Sequence, residues 1–180
     1  MRVIGGELGG RTLSAPRGRG TRPTSDRVRE AVFSILGDVS GANVLDLFAG
    51  SGALAIEALS RGASKATLVD SSDSAIAAAR ANLEALGLDA SLRRQAVLGF
   101  LRNAAVQPQH YDLVFVDPPY RHAGSLSDEL GAALEPVLTP DARVVCESDR
   151  RAPLRLALAT LEPLADRIYG DTLISIHGPR

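Results

Sequence analysis

From residue 43 onward, apolar stretches of strand length alternate with stretches of helical periodicity, and this alternation constrains the fold more than any other feature. Such an alternation is typical of a parallel sheet covered by helices on both faces, with right-handed crossover connections. We predict strands near residues 43–48, 65–70, 90–95, 111–116 and 142–147. We predict helices near residues 52–61, 72–86, 97–105, 125–136 and 151–159. The sequence therefore predicts an α/β fold with a mostly parallel sheet.

Two further strand candidates, residues 163–169 and 172–177, are joined by Gly170-Asp171. A short connection of this composition is a hairpin signal. We therefore predict an antiparallel pair at one edge of a sheet of seven strands.

The N-terminal segment differs in composition from the rest. Residues 1–23 are rich in Gly, Arg and Pro, with short extended candidates at Arg2–Ile4 and Arg11–Ser14. This pattern predicts a small hairpin or arm rather than a core element. We therefore divide the chain into an arm, residues 1–23, and a main domain, residues 24–180.

The main domain is predicted to open with a helix. Ser25 or Asp26 can cap its start and Gly37 ends it. Apolar residues recur at helical spacing and predict its buried face: Val28, Val32, Ile35 and Leu36.

Composition excludes several classes of protein. With 180 residues, of which 45% are hydrophobic, the chain can bury a proper core. The single cysteine, Cys146, excludes an internal disulfide, and neither a membrane-spanning apolar run nor a signal peptide is evident. We expect a soluble, cytoplasmic protein.

The net charge of −1 hides an asymmetry along the chain. Residues 1–30 contain seven arginines against three acidic residues, a net charge of +4. A basic, glycine-rich arm suits contacts with nucleic-acid phosphates, although a solvated basic tail has the same composition.

Metal ligands are not indicated. His110, His122 and His177 lack metal-ligand spacing, and we interpret them as loop histidines. Cys146 is predicted to be a small buried strand residue, and Glu147 after it could face either a crevice or solvent.

A glycine turn follows the first predicted strand of the sheet. Gly50, Gly52 and Ala55 satisfy the pattern G-x-G-x-x-G/A, and Asp70 follows about 20 residues later, at the end of the next strand. In open α/β sheets, ligands bind at the carboxyl ends of the strands, where glycine lets the backbone approach them closely. The pattern predicts a nucleotide-type cofactor; a P-loop is disfavoured because no Lys-Ser or Lys-Thr follows the glycines.

Asp46, four residues before Gly50, distinguishes between cofactors. A carboxylate there would repel the pyrophosphate of a nicotinamide dinucleotide but attract the ammonium group of S-adenosylmethionine. Asp46 therefore favours S-adenosylmethionine, although an aspartate that caps the turn remains an alternative.

The fourth strand runs into the sequence Asp117-Pro118-Pro119-Tyr120. An exocyclic amine of a nucleobase is a poor nucleophile, so a catalyst has to hold it with acceptors only. The Asp117 and Pro118 carbonyls, or the Asp117 carboxylate, can accept from it, and the prolines keep them rigid. Tyr120 can stack on a base that has left its helix. The alternative is a strand terminator with a core tyrosine.

Longer stretches of the chain resemble one family. The opening "MRVIGGELGGRTLSAPRGRGTRPTSDRVREAVFSIL", with "VLDLFAGSGALAIEALSRGA", "VFVDPPY" and "YGDTLISI", is similar to the bacterial 16S ribosomal RNA guanine-N2 methyltransferases. The resemblance covers essentially the whole chain. It implies a Rossmann-like methyltransferase fold with a small N-terminal β-hairpin, and transfer of a methyl group from S-adenosylmethionine to the 2-amino group of a guanine in 16S ribosomal RNA.

The resemblance also implies roles for particular residues. The catalytic set is Asp117, Pro118, Pro119 and Tyr120. The cofactor-binding set is Arg22, Thr24, Asp46, Phe48, Ala49, Gly50, Ser51, Gly52, Asp70, Ser71, Ala96, Val97 and Asp117, with Arg22 and Thr24 folding over the methionyl end. The RNA-binding set is Arg2, Arg11, Arg17, Arg19 and Arg22.

The chain departs from the family pattern at one position. Where relatives commonly place Asp or Asn after the third strand to contact adenine, this chain has Ala96. Adenine recognition would then rest on the backbone amide of Ala96 or Val97, or on Gln95.

Several functions stay open on the sequence alone. We expect a monomeric enzyme that acts on 16S ribosomal RNA, within a small-subunit particle, and binds neither a metal nor a membrane. The alternatives are an adenine-N6 methyltransferase on DNA or RNA, a non-catalytic RNA-binding assembly factor, and a nicotinamide oxidoreductase.

Overall fold

Seven strands form one sheet in the computed structural model of the protein, which describes residues 1–16, 24–107, 110–119 and 123–179. The strands are β1 Asn43–Leu47, β2 Lys65–Asp70, β3 Ser91–Arg94, β4 Tyr111–Val116, β5 Leu138–Asp149, β6 Leu161–Tyr169 and β7 Thr172–Pro179. The helices are α1 Asp26–Leu36, α2 Ala53–Ser60, α3 Asp73–Leu86, α4 Val97–Ala104 and α5 Ala123–Leu134, and a short 3-10 helix, Glu135–Val137, precedes β5.

The strand order is β3-β2-β1-β4-β5-β7-β6. The first five strands in this order are parallel, and β7 is antiparallel to both β5 and β6. The predicted α/β fold and its antiparallel edge hairpin are therefore confirmed. The strand order reverses direction between β1 and β4, which is where open α/β sheets form their ligand crevice.

Side chains alternate along the central strands and divide between two cores. The first core lies beneath α4 and α5, and its central strand residues are Leu45, Leu47, Val114, Val116 and Cys146. The second core lies beneath α1 and α2, and its central strand residues are Val44, Leu68, Leu113, Phe115 and Val145. The burial of Cys146 confirms its prediction as a small strand residue.

Helix α1 begins and ends as predicted. The Ser25 hydroxyl accepts a hydrogen bond from the Val28 N–H, and Gly37 caps the C-terminus. The predicted apolar face is correct except at Ile35, which is 39% exposed, because Phe33 is buried instead. No helix among the described residues is long and apolar enough to cross a membrane.

The helix predicted at residues 151–159 is wrong, since the structure has an irregular segment there. Leu154 and Leu156, two residues apart, are both buried in the first core, while Arg155 between them points outward to Asp166. Burial with a period of two requires an extended chain, and no helix can bury both leucines this way. Propensity for a helix was overridden by tertiary packing.

The prediction that His177 lies in a loop is also wrong. It belongs to β7, where it is 6% exposed, and it lies opposite Val144 of β5 and Pro163 of β6. The prediction missed that β7 extends beyond residue 177, to Pro179. His110 lies outside the secondary structure, immediately before β4, and His122 lies outside the described residues.

The N-terminal segment forms a minimal hairpin packed against the main domain. One antiparallel bridge joins Arg2 to Thr12, and Val3 and Leu13 are buried against Ile56 of α2 and Leu83 of α3. The segment is therefore a hairpin, as predicted, but it contributes a small core of its own.

Buried polar groups of α2 fix the tip of this hairpin. The Glu57 carboxylate, which is fully buried, accepts the backbone N–H groups of Ile4 and Gly5 at 2.6 and 2.8 Å. The Ser60 hydroxyl donates to the Gly5 carbonyl and accepts the Leu8 N–H. Because buried carboxylates are costly without such donors, these bonds couple the position of the hairpin to α2.

We expect Gly6→Ala to be far more destabilising than Gly10→Ala. Both glycines have a positive φ, of 75° and 86°, but a Cβ at Gly6 would lie 1.8 Å from the Ser60 carbonyl oxygen, whereas a Cβ at Gly10 would meet nothing within 4 Å. Gly10→Ala should reduce the free energy of unfolding by about 1–2 kcal/mol through backbone strain alone. Gly6→Ala should cost roughly 2–5 kcal/mol because a steric clash is added. Urea denaturation measures both, and equal losses would contradict the docked position of the hairpin.

Candidate active site

The glycine turn lies at the carboxyl end of β1, as the sequence predicts. Gly50 and Gly52 have φ angles of 55° and 78°, which favour glycine. A Cβ at Gly52 would lie 2.7 Å from Leu68 of β2, so the turn packs tightly on its inner side. A Cβ at Gly50 would meet nothing within 4 Å, so the turn is open towards the crevice.

Phe48, between β1 and this turn, also has a positive φ, of 63°, and no other non-glycine residue among those described does. Strict alternation along β1 would direct its side chain to the same face as Val44 and Asp46. Phe48 packs against the first core instead, on the opposite face. The strained backbone of Phe48, which typically costs 1–3 kcal/mol, therefore keeps its ring away from the sheet face on which Asp46 lies.

Two carboxylates hold the turn in place. Asp70, at the end of β2, accepts the Gly50 N–H at 2.9 Å and the Ser72 N–H at 2.8 Å. Asp46 is 1% exposed and accepts the Ala55 N–H in the first turn of α2 at 3.1 Å. The capping role that the sequence left open for Asp46 is thus present, and its other carboxylate oxygen keeps hydrogen-bonding capacity.

Burial makes the Asp46 carboxylate energetically costly. Desolvation, together with the negative charge of Asp70, raises the pKa of Asp46 to about 8. A cationic group placed beside it would favour the ionised form. The site therefore fits a ligand that carries an ammonium group better than one that carries a pyrophosphate.

The amide side chain of Asn82, on α3, joins the glycine turn to the hairpin. Its Nδ2 donates to the carbonyls of Ser51 and Ser14, and its Oδ1 accepts the Ser14 N–H. Asn82 is 3% exposed, and the sequence analysis missed it. One feature of the sequence could have identified Asn82: it is an amide residue at a core position of α3, seven residues after the buried Ala75.

The end of β4 lies next to that of β1. The Asp117 N–H donates to the Leu47 carbonyl, Pro118 is buried and Pro119 is exposed. Because the prolines have no N–H, regular pairing of the strand stops at this point. Tyr120 lies outside the described residues, so its stacking role stays a prediction.

Thr24 connects the carboxyl ends of β4 and β5. Its hydroxyl lies 2.6 Å from Glu147 Oε2 and 3.4 Å from Asp117 Oδ2, and it donates its single proton in the shorter contact. Glu147 is 6% exposed, so it faces the crevice rather than solvent.

The negative charges of Glu147 and Asp46 both act on Asp117. Burial, then the charge of Glu147 and that of Asp46, raises the pKa of Asp117 well above its usual range. Burial likewise raises the pKa of Glu147, although the Thr24 hydroxyl partly opposes this. The crevice is therefore lined by buried carboxyl groups whose oxygens can accept hydrogen bonds.

The remaining predicted site residues fall into three groups. Ala49, Ser51, Ser71, Ala96 and Val97 lie at the carboxyl ends of β1 to β3: Ala49 donates its N–H to the Val69 carbonyl, and Ala96 caps α4 without a side-chain hydrogen bond. Arg2 and Arg11 are exposed on the hairpin. The third group lies outside the described residues and comprises Arg17, Arg19 and Arg22.

These residues fit S-adenosylmethionine. Asp46 suits its ammonium group, the open side of Gly50 suits close backbone approach, and the uncapped N-terminus of α4 leaves backbone donors for the adenine ring. Gln95, whose N–H donates to the Asp70 carbonyl, lies at the same edge. Within the described part of the chain, no cluster of three or more His, Cys, Asp or Glu residues could hold a metal ion.

The strand order, the glycine turn and the acceptor-lined crevice define a Rossmann-like methyltransferase. The family described as "Conserved hypothetical protein 95" matches residues 1–178, and the chain belongs to that family.

Named relatives are similar over most of their length. The "Putative rRNA methyltransferase YlbH" of Bacillus subtilis is 37% identical over the whole of both chains. The "Ribosomal RNA small subunit methyltransferase D" of Haemophilus influenzae is 35% identical over 86% of this chain and 81% of its own. The solved structure of "Putative methyltransferase yhhF" from Escherichia coli superimposes with a TM-score of 0.85 at 34% identity, covering 100% of this chain and 98% of that one.

We expect Asp46→Asn to stabilise the protein at alkaline pH while it weakens cofactor binding. A carboxyl whose pKa is higher in the folded state loses stability as the pH rises towards that value, here about 8, whereas asparagine does not titrate. One pKa unit corresponds to about 1.4 kcal/mol, so at pH 9 the variant should exceed the wild type by roughly 2 kcal/mol or more.

Urea unfolding at pH 5 and pH 9, without cofactor, measures this difference, which should shrink at the lower pH. Asp112→Asn is the matched control for the loss of one charge, because Asp112 is a partly exposed carboxylate of β4 that also accepts a backbone N–H. An Asp46→Asn variant that is no more stable than the wild type at pH 9 would rule out the cost assigned to this buried charge.

Proposed function

We propose that the protein transfers a methyl group from S-adenosylmethionine to the exocyclic 2-amino group of a guanine in 16S ribosomal RNA. The observation that carries the proposal is the adjacency of two strand ends: the open glycine turn after β1 and the acceptor-rich Asp117-Pro118 after β4. The glycine turn suits a methyl donor, and Asp117-Pro118 suits an amine. The crevice between β1 and β4, where the strand order reverses, brings the two together.

The chain's own groups bind and orient the two reactants. Asp46 and Asp70 hold the cofactor through its ammonium group and its ribose, together with the backbone of the glycine turn. The Asp117 and Pro118 carbonyls, or the Asp117 carboxylate, accept the hydrogens of the amine and aim its nitrogen. When bound there, S-adenosylmethionine would supply an electrophilic methyl group for the amine nitrogen. No strong base is needed, because the nitrogen becomes acidic only as it is methylated and water can take its proton.

Two observations support ribosomal RNA as the class of substrate. The two relatives named above are called ribosomal RNA methyltransferases, one of them of the small subunit. Arg2 and Arg11 are exposed on a hairpin that packs beside the glycine turn, where they can contact the phosphates of a bound RNA. The guanine itself rests on the sequence resemblance, and a small-subunit particle is the form of substrate that we propose.

Labelled S-adenosylmethionine tests the proposed function directly. The protein should transfer label to small-subunit particles or to naked 16S ribosomal RNA prepared from cells that lack it. Nucleoside analysis of the product should identify N2-methylguanosine. Label on N6 of adenine would establish the alternative enzyme, and no transfer to any form of the RNA would leave only a binding role.

Asp117→Ala should abolish methyl transfer and leave RNA binding mostly intact. The substitution removes a carboxylate at the place assigned to the amine, while the hairpin arginines remain. Single-turnover transfer should fall by at least about 100-fold, a loss of the size seen when a positioned catalytic acceptor or donor is removed. Asp128→Ala, at an exposed position on α5, is the control and should retain activity. Substantial turnover by Asp117→Ala would rule out this role for the carboxylate.

Arg11→Ala should weaken RNA binding in a salt-dependent way. Each lost phosphate contact is expected to lower the slope of log K against log salt by about 0.7–0.9. Arg102→Ala is the matched control, because Arg102 is equally an exposed arginine but lies near the C-terminal end of α4, away from the crevice. Combining Arg11→Ala with Arg17→Ala and Arg19→Ala should lower the slope further. Identical slopes for Arg11→Ala and Arg102→Ala would exclude the hairpin as an RNA-binding element.

A further inference from the structure

Glu147 is a buried carboxylate at the crevice that the proposed chemistry does not use. Parallel pairing puts Val116 of β4 opposite Cys146 of β5, so the next residues, Asp117 and Glu147, lie at the same level on neighbouring strands. Both follow residues of the first core, so alternation directs both side chains to the opposite face. The carboxylate assigned to the amine therefore has a second carboxylate directly beside it.

The surroundings of Glu147 leave it able to accept more hydrogen bonds. Thr24 donates one proton to its Oε2, and an ionised carboxylate has about four acceptor sites. At 6% exposure, water can satisfy little of that capacity, and burial raises the pKa of Glu147. A donor supplied by a ligand in the crevice would stabilise the ionised form.

The two purines present different edges to such a pair of acceptors. Guanine has two hydrogens on N2 and one on the adjacent N1, so it offers donors to two acceptors side by side. Adenine has N–H donors on N6 only along this edge, and its N1 is itself an acceptor. A carboxylate beside the one that holds the amine would bond to guanine N1–H but would face a lone pair on adenine.

We propose that Glu147 determines the base specificity of the enzyme by accepting the N1–H of the target guanine while Asp117 and Pro118 hold its 2-amino group. This inference rests on the proposed function. It makes Glu147 a residue that contacts the substrate, and it makes Thr24 a positioning residue that orients the carboxylate through the 2.6 Å hydrogen bond.

The probe for this role is 2-aminopurine, which keeps the 2-amino group of guanine but has an acceptor at N1 and lacks O6, a loss that is the same for every variant compared. The RNA segment that contains the labelled guanine is prepared with guanine, 2-aminopurine or adenine at that one position. It is presented free or in reconstituted particles, whichever form accepts label. For the wild type, kcat/KM for guanine should exceed that for 2-aminopurine by about 10- to 100-fold, because the analogue presents an N1 lone pair, instead of an N–H donor, to a buried carboxylate.

Glu147→Gln should remove this preference. The glutamine oxygen can still accept the Thr24 proton, while its amide nitrogen donates to N1 of 2-aminopurine and opposes the N1–H of guanine. The ratio of the two kcat/KM values should fall to about 3 or less, or invert. Glu147→Asp and Thr24→Val keep the carboxylate, so both should retain a preference for guanine even where their rates fall.

The ratio separates base recognition from a structural role, since poor folding lowers both rates together. A wild type that uses 2-aminopurine as well as guanine would overturn the inference without any variant. A Glu147→Gln variant that keeps the wild-type ratio, whatever its absolute rate, would overturn it too. Either result leaves the proposed function standing, whereas wild-type label on adenine in the native RNA would overturn the proposed function itself.

Discussion

The in-register parallel pairing of β1, β4 and β5 is the constraint on which the site depends. It puts Asp46 opposite Phe115 and puts Asp117 beside Glu147, all on the sheet face that α1 and α2 cover. A shift of one residue in either pairing would send one of the carboxylates to the apolar first core. Because apolar residues on both faces of these strands are buried, this register is strongly specified by burial, and the positions of the acidic side chains at the crevice follow from it.

Desolvation of these acidic side chains is an energetic cost that the free protein bears. The carboxyl groups of Asp46 and Asp117 have raised pKa values because of burial and because of neighbouring negative charges, Asp70 for the first and Glu147 and Asp46 for the second. The hydrogen bond from the Ala55 N–H to Asp46 offsets this cost only in part, and the Thr24 hydroxyl, which donates to Glu147, lies 3.4 Å from Asp117 Oδ2. Ligands that bring an ammonium group and N–H donors would complete the site, which is a physical reason for its selectivity.

Contacts from the hairpin and from the start of the main domain reach both sides of the crevice. Asn82 bonds Ser14 to the carbonyl of Ser51 in the glycine turn, on the side assigned to the cofactor. Thr24 contacts Asp117 and Glu147, on the side assigned to the base. The hairpin is thus connected through Asn82 to the turn assigned to the cofactor, and the first residue of the main domain contacts the carboxylates assigned to the base.

Local patterns predicted much of this architecture. The central strands β1, β2 and β4, which are mostly apolar and buried, were predicted to within one residue of their bounds, because a strand buried on both faces leaves an apolar run in the sequence. The prediction of a helix at residues 151–159 is wrong because Leu154 and Leu156 are both buried in the first core, with a period of two. The spacing of the leucines in the sequence is also compatible with a helix, so it does not reveal the extended conformation. The positions of Asp46, Gly50, Gly52, Asp70 and Asp117 at strand ends and in the turn could be predicted because each lies at or near the end of an apolar run in the sequence.

Spatial relations between distant segments were not predictable in the same way. The positive φ of Phe48, the link through Asn82 and the contact between Thr24 and Glu147 each depend on residues that packing brings together, the last across 123 positions of chain. By itself, the sequence determined the succession of most strands and helices along the chain and which residues lie at strand ends, since both follow from local periodicity. Only the tertiary structure decided which strand ends are neighbours and which carboxylates are buried side by side, because the order of the strands within the sheet, their register and their burial are properties of the packed chain.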